Sequence, residues 1–371
     1  MYDAIIVGAR CAGSPTAMLL ARKRYRVLLV DKSSFPSDII STHYIHPPGV
    51  ARLARWGLLD RLHATGCPPI TELTVDMGGV SLSPPPPAPD QPPPPPAYCP
   101  RRTVLDKILV DAAVEAGAEL RERFSVKELV WDDDRVAGIR SAGGVDEARI
   151  VIGADGMHSL VANAVQAPEY NTKPSLSFGY YNYWSNVALK GAKIHFGQDC
   201  GALAFPTHAD RYCIAVGGPV DGAQEFRKDI PANYWKIIES IPALHKALLN
   251  AKAEERYIGT IDQPNFFRRP YGLGWALVGD AGYHRDFITG LGITDAFRDA
   301  ELLADAIDDG FSGRRPLDEA LAGYERARNE IAEPLYDFTL QLLSGEPPTM
   351  EQFVGFALSM QKMMPADLAT A

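Results

Sequence analysis

Apolar residues fall into short continuous runs near the start of the chain and into helical spacing near its end. Ala4, Ile5, Ile6 and Val7 form a run that stops at Gly8. A helical pattern then extends from Gly13 to about Lys23, and a second apolar run over 26–30 ends at Asp31. Strand, glycine turn, helix, strand and terminal acid make a βαβ unit of about thirty residues. Val50, Leu53, Leu58, Leu59 and Leu62 mark the apolar face of a helix predicted over 48–63. The stretch 103–117 predicts a helix closed by a glycine. Strands are predicted near 124–131, 136–141 and 148–153. Between 175 and 218, aromatic and β-branched residues broken by turn signals predict antiparallel sheet. From Thr294 onward the spacing is helical, over 294–310, 317–343 and 349–363.

Composition narrows the field. A chain of 371 residues can bury a large core and form two domains or one elaborate α/β unit. Hydrophobic residues make up 46% and charged residues 22%, an ordinary globular balance. With 37 Lys and Arg against 46 Asp and Glu, the net charge of −9 offers no field for nucleic acid or anionic membrane. No apolar run is long enough for a membrane helix, so integral membrane association is not expected. Met1-Tyr2-Asp3 has no basic region ahead of the apolar run, which therefore reads as a strand and not a signal sequence. The 5 cysteines form no CxxC pair and point to a reducing, cytoplasmic location. The segment 84–100 is rich in proline and prefers extended polyproline II, either as a stiff surface connection between strands or as a docking ligand.

Three motifs carry chemistry. In Gly8-Ala9-Arg10-Cys11-Ala12-Gly13, Gly8 permits the tight turn and Gly13 lets the helix pack on the strand. The freed amides at the helix start can hold a pyrophosphate. Asp31, at the end of the second strand, can accept hydrogen bonds from a ribose. Arg10 stands where a middle glycine is usual, so its side chain must point away from the turn or reach round to a phosphate. The second motif is Gly153-Ala154-Asp155-Gly156 with Ser159. The third is Gly279-Asp280-Ala281-Gly282, leading to Gly290-Leu291-Gly292 and a helix. A carboxylate at a strand end can bind ribityl hydroxyls, and glycine amides at a helix start can face the pyrimidine edge of a flavin. No HxxxH, HExxH or His/Cys cluster suggests a metal site, and no G-x-S-x-G elbow suggests a serine hydrolase.

In this order and spacing the motifs resemble the para-hydroxybenzoate hydroxylase-type flavoproteins, a superfamily that includes aromatic monooxygenases, geranylgeranyl reductases and flavin-dependent halogenases. The resemblance extends from Tyr2 to about Leu343. It implies an α/β fold with a Rossmann-like FAD-binding domain interwoven with an antiparallel-sheet substrate domain and a helical C-terminus. The FAD-binding domain would comprise 1–70, 98–165 and 272–345. The substrate domain would comprise 71–97 and 166–271, and 346–371 a C-terminal helix and tail. FAD contacts are expected at Gly8, Ala12, Gly13, Asp31, Lys32, Arg102, Asp155, Gly279, Asp280, Gly290 and Gly292. The family's Arg-x-x-Leu-Asp corresponds to Arg102-Thr-Val-Leu-Asp106. Asp155 would serve both FAD and a passing NADH or NADPH, and Asp280 the ribityl chain. Ala162, Phe287 and Leu291 depart from residues frequent in relatives, namely Arg, Pro and Gln.

The resemblance also implies a reaction: an NAD(P)H-consuming monooxygenase that hydroxylates an aromatic or polyketide-like small molecule through a flavin C4a-hydroperoxide formed with O2. Half of the chain's 34 aromatic residues fall between Tyr170 and Trp275. They would form the core of the small sheet, some of them lining a dry pocket. His43 and His46 follow the second strand, where a histidine can face the flavin. His43 is the candidate base for a substrate proton, against a purely structural role in the loop. His284 reads as a structural residue of the flavin loop. Three alternatives stay open. A prenyl reductase is one, though its relatives' Tyr-x-Trp-x-Phe-Pro reads Ala202-Leu203-Ala204-Phe205-Pro206 here. A halogenase is disfavoured, since no lysine lies between Lys32 and Lys107 and its tryptophan signature is missing. A non-catalytic flavin-binding protein is the third.

Overall fold

The computed structural model describes residues 1–77, 81–82, 95–197, 199–346 and 348–365. Most of the proline-rich segment and residues 366–371 therefore lie outside the described residues. The βαβ unit forms as its pattern predicts, with strand Tyr2–Val7, helix Gly13–Arg22 and strand Val27–Val30. Tyr2–Val7 lies in a sheet ordered Tyr271–Gly272, Trp275–Leu277, Gly144–Gly153, Tyr2–Val7, Val27–Val30, Glu119–Arg121. All pairings after the first are parallel.

Successive side chains of the central strand take opposite faces. Ala4 and Ile6 join Met18, Leu105, Leu109 and Phe297 in one core, while Ile5 and Val7 join Leu129, Val136 and Ile139 in another. Helices Gly13–Arg22, Arg102–Glu115 and Gly292–Phe311 supply the first core. The second lies under the antiparallel meander of Glu128–Asp132, Arg135–Ser141 and Gly144–Gly153. Cover on both faces is why this strand reads as an unbroken apolar run.

A second sheet is ordered Lys252–Ala253, Ser177–Ser185, Arg211–Pro219, Gly201–Thr207, Ala192–Phe196, Leu73–Asp76, Ser81–Leu82. Its pairings within 177–218 are antiparallel, as the aromatic and β-branched residues and their turn signals predict. Leu73–Asp76 instead joins Ala192–Phe196 in parallel, a long-range pairing with no local signal. Tyr180, Trp184 and Tyr212 turn one face toward Tyr234, Ile238 and Leu244 of the helices Ile230–Ser240 and Pro242–Leu248. Many of the region's aromatics are thus core. The opposite face shares a cavity with the carboxyl ends of the first sheet's strands, at Val7 and Val30.

Two predicted elements differ. The helix expected over 48–63 is two helices, Pro47–Arg55 and Leu59–Ala64. Gly57, at φ +75°, stops the first. The Gly57 amide donates to the Ala54 carbonyl and the Leu58 amide to that of Leu53, which is a Schellman stop. The strand predicted from 124 begins only at Glu128. The C-terminal helices are Gly292–Phe311, Leu317–Leu343 and Met350–Lys362, the last opened by a capping box of Thr349 and Gln352. Among the described residues no helix is long and apolar enough to cross a membrane.

Candidate functional site

The cavity between the two sheets measures about 780 Å³, within the usual range for a ligand or cofactor pocket. The glycine turn forms one end. A Cβ on Gly8, at φ +103°, would lie 2.4 Å from the Ala154 carbonyl oxygen, and one on Gly13 would lie 1.8 Å from that of Gly8. Neither position admits a side chain. Asp31 closes the turn: its carboxylate accepts from the Ala9 amide at 2.8 Å and the Ser33 amide at 2.8 Å. Lys32 is exposed beside it, and both line the cavity. The helix Gly13–Arg22 has no side-chain cap on its first turn. The Ser14 amide bonds the Arg10 carbonyl and Pro15 has no amide hydrogen, so among the described residues the Gly13 amide is the one at its start left for a ligand.

Arg10 points away from the turn. Its Nη1 donates to Asp106 at 2.6 Å and its Nη2 to the Ser37 hydroxyl at 2.9 Å. The same Asp106 accepts from Arg102 Nε at 2.9 Å and Nη2 at 3.1 Å. One fully buried carboxylate therefore fixes two guanidinium groups, and both arginines reach the cavity wall.

The two later acids differ in kind. Asp155 accepts from the Ser159 hydroxyl at 2.5 Å and the Leu160 amide at 2.7 Å, which ties its carboxylate to the start of helix Leu160–Ala164. Burial raises its pKa against these bonds. Asp280 opens onto the cavity, is ringed by protein, and has no side-chain hydrogen bond among the described residues. Burial raises its pKa too, opposed by His284 and Arg102. Gly292 lines the cavity at the uncapped start of helix Gly292–Phe311, and a Cβ there would meet nothing within 4 Å.

Eight of the expected FAD contacts line this one cavity: Gly8, Ala12, Asp31, Lys32, Arg102, Asp155, Asp280 and Gly292. Gly13, Gly279 and Gly290 stand behind them. Gly279 and Gly290 hold left-handed turns at φ +61° and +64°. Two uncapped helix starts, an unpartnered carboxylate and open space above Gly292 fit a dinucleotide flavin.

His43 and His46 stand behind the cavity wall and not on it. Ser41 and Thr42 line the cavity; His43 does not, and it is fully buried. Its Nε2 is 2.9 Å from the Tyr183 hydroxyl and its Nδ1 3.9 Å from Cys213 Sγ. Any exchange between His43 and a bound substrate must pass through a neighbour. His46 is tied to the Thr289 carbonyl at 2.9 Å, and burial pulls its pKa down to about 4. His284 lines the cavity and bonds the Pro264 carbonyl through Nδ1, a structural contact. Cys213, Arg285 and Phe287 also line the wall. No motif in the sequence marks Cys213 as a site residue, because only strand register brings it there.

Comparison with known proteins agrees with this geometry. The family described as an FAD binding domain matches residues 1–339. Digeranylgeranylglycerophospholipid reductase 2 of Methanopyrus kandleri is 27% identical over 310 residues, covering 79% of this chain and 73% of that protein. Protein FixC of Escherichia coli O157:H7 is 32% identical over 236 residues, covering 60% of this chain and 50% of FixC. Among solved structures, the myxobacterial chondrochloren halogenase CndH superposes with a TM-score of 0.85 at 20% identity, covering 100% of this chain and 92% of that one. PqsL of P. aeruginosa in complex with 2-aminobenzoylacetate gives a TM-score of 0.78 at 23% identity, covering 97% and 99%.

Proposed function

The chain belongs to the FAD-binding domain family, and from that premise we propose that it is an NAD(P)H-consuming monooxygenase acting on an aromatic or polyketide-like small molecule. The carrying observation is the make-up of the cavity. One half presents the dinucleotide motifs, and the other is walled by Tyr180, Tyr181, Leu203 and Phe205 of the second sheet. A flat apolar substrate fits the second half, where the side chains of Tyr181, Leu203 and Phe205 exclude water.

In this reading Asp31 holds a ribose, the start of helix Gly13–Arg22 a pyrophosphate, Asp280 the ribityl hydroxyls and the start of helix Gly292–Phe311 the pyrimidine edge. When bound, FAD supplies the two-electron chemistry that links a nicotinamide donor to dioxygen. The protein's own part is orientation and dryness. Asp106 fixes Arg10 and Arg102, Asp155 fixes the turn after Gly153, and the aromatic wall positions the substrate ring. The missing lysine disfavours halogenation.

A reductase of prenyl double bonds is the second reading, favoured by the sequence likeness to digeranylgeranylglycerophospholipid reductase 2. One experiment separates the two. Candidate aromatic compounds are screened for stimulation of NAD(P)H oxidation, with oxygen present and then excluded. Oxygen incorporation into product supports the monooxygenase. Stoichiometric product under strict anaerobiosis overturns it in favour of the reductase.

A further inference from the structure

The substrate-side wall holds a nucleophilic group that neither reading uses. Strand register places Tyr183, Cys213 and Phe205 in one cross-strand row and Tyr181, Ala215 and Leu203 in the next. Period-two alternation puts both rows on one face of the sheet. Cys213 lines the cavity from this face. Behind it, Cys213 Sγ lies 3.9 Å from His43 Nδ1, and His43 Nε2 lies 2.9 Å from the Tyr183 hydroxyl. Arg101 stacks 4.1 Å above the Tyr183 ring. The imidazole is fully buried, so a proton taken from the thiol stays between thiol and phenol instead of passing to water.

The surroundings of Cys213 differ from those of the other buried cysteines. Burial pushes the thiols of Cys11, Cys67 and Cys99 up. Cys213 moves the other way, from 9.0 to about 6, because its contact with Cys99 lowers it most, burial opposes this, and the pairing with His43 adds to the lowering. The titratable groups around it are Cys99, His43, Tyr181, Tyr183 and Tyr234, with the Arg101 charge beyond. One row along the sheet, the Tyr181 hydroxyl is buried without a partner among the described residues. A carbonyl oxygen would satisfy that donor.

We infer that Cys213 is a nucleophilic thiol presented to the substrate half of the cavity, with His43 as its proton partner, and that it captures ligands bearing an electron-poor double bond, an enone or a quinone. In the capture, Sγ bonds to the β-carbon and the π pair moves to the carbonyl as an enolate. The proton held by His43, which does not itself line the cavity, then reaches the α-carbon by way of a neighbour on the cavity wall. The result is a thioether, with no change in the flavin and no added oxidant. The inference holds whether the enzyme oxygenates or reduces.

The test uses flavin-loaded protein, reduced and freed of reductant, with one equivalent of N-ethylmaleimide at about pH 7 and peptide mass mapping. Cys213 is expected to label at least about tenfold faster than Cys200, the half-buried thiol that serves as internal reference. His43→Gln is expected to slow Cys213 by about tenfold or more and leave Cys200 unchanged. In the wild type, the Cys213 labelling rate should be half-maximal well below the ordinary thiol value of 9.0, a reading that stands even if His43→Gln fails to fold. Label on Cys200 with Cys213 intact overturns the inference. So does a Cys213 rate unchanged by His43→Gln, or a rate that rises only near or above the ordinary thiol value. Failure of the monooxygenase reading would leave each of these readouts intact.

Discussion

Gly179 and Phe287 interlock across the cavity: a Cβ built on Gly179 would lie 2.3 Å from Phe287 Cζ and 3.0 Å from its Cε2. Gly179 belongs to the long strand of the second sheet, and Phe287 to the loop that follows the Gly-Asp motif. Where relatives often carry a proline, this chain inserts a ring against the facing strand. That contact couples the substrate wall to the loop leading into Gly292.

Gly179→Ala should therefore overpack the junction and cost about 1–3 kcal/mol. Phe287→Leu in the same chain should recover part of the loss, so the double variant costs less than the sum of the two. Urea unfolding midpoints of the three variants measure the coupling, and simple additivity would show that the ring yields without strain.

Asp280 and Asp155 should fail differently when replaced by alanine. Among the described residues Asp280 has no hydrogen bond to lose, so Asp280→Ala should leave flavin-free stability unchanged or raised. Losing a charged partner of the flavin hydroxyls should weaken FAD retention by roughly ten- to a hundredfold. Asp155 holds the Ser159 hydroxyl and the Leu160 amide, so Asp155→Ala should cost about 0.5–2 kcal/mol of stability, as lost helix caps do. Flavin titration and thermal melts of both flavin-free variants check this. Equal FAD retention counts against the ribityl assignment.

What the sequence made legible was local. The βαβ unit and its terminal Asp31 could be read because glycine turn, helix spacing and strand run lie within one short segment. The C-terminal helices were legible for the same reason. The stop at Gly57 was not, since the apolar spacing continues through Leu58 and Leu62 on the far side of it. His43 could be placed near the flavin by position, but its side-chain direction depends on a left-handed backbone at φ +62°. A non-glycine residue gives no warning of that conformation. Cys213 meets His43 from 170 residues away, through strand register, which no local pattern encodes. The bond from Arg10 to Asp106 spans 96 residues. The i,i+4 spacing of Arg102 and Asp106 signalled only half of that cluster.

Asp106→Ala should be among the costlier single changes. It strands Arg102, which is 7% exposed, and releases Arg10, leaving two guanidinium groups without their shared carboxylate. Removing one partner of a buried ion pair costs about 3–5 kcal/mol. Urea unfolding gives the stability loss, and a flavin titration under native conditions should show weakened FAD binding as Arg102 loses its orientation. Normal stability with normal binding would mean that water replaces Asp106 at no cost.

His46 should give the protein an acid-side slope in stability. Burial is the main cause that pulls its pKa from 6.5 to about 4, and Arg285 adds to the effect against the Thr289 carbonyl. The unfolded chain takes up this proton near the ordinary histidine value, whereas the folded chain refuses it until about 4. Between those values the unfolded state holds more protons, so stability falls as the pH drops through that window and levels off below it. The gap between the two values corresponds to at most about 3 kcal/mol of stability. His46→Gln keeps a donor for the Thr289 carbonyl and removes the titration, so its stability should fall less between about pH 7 and pH 4.5. Urea midpoints of both proteins at these two values decide the matter. The ring also stands 3.8 Å from where a Cβ on Gly290 would sit, so acid loosening of this loop should release FAD from the wild type before it does from His46→Gln. Parallel slopes in the two proteins would place the acid sensitivity in other groups.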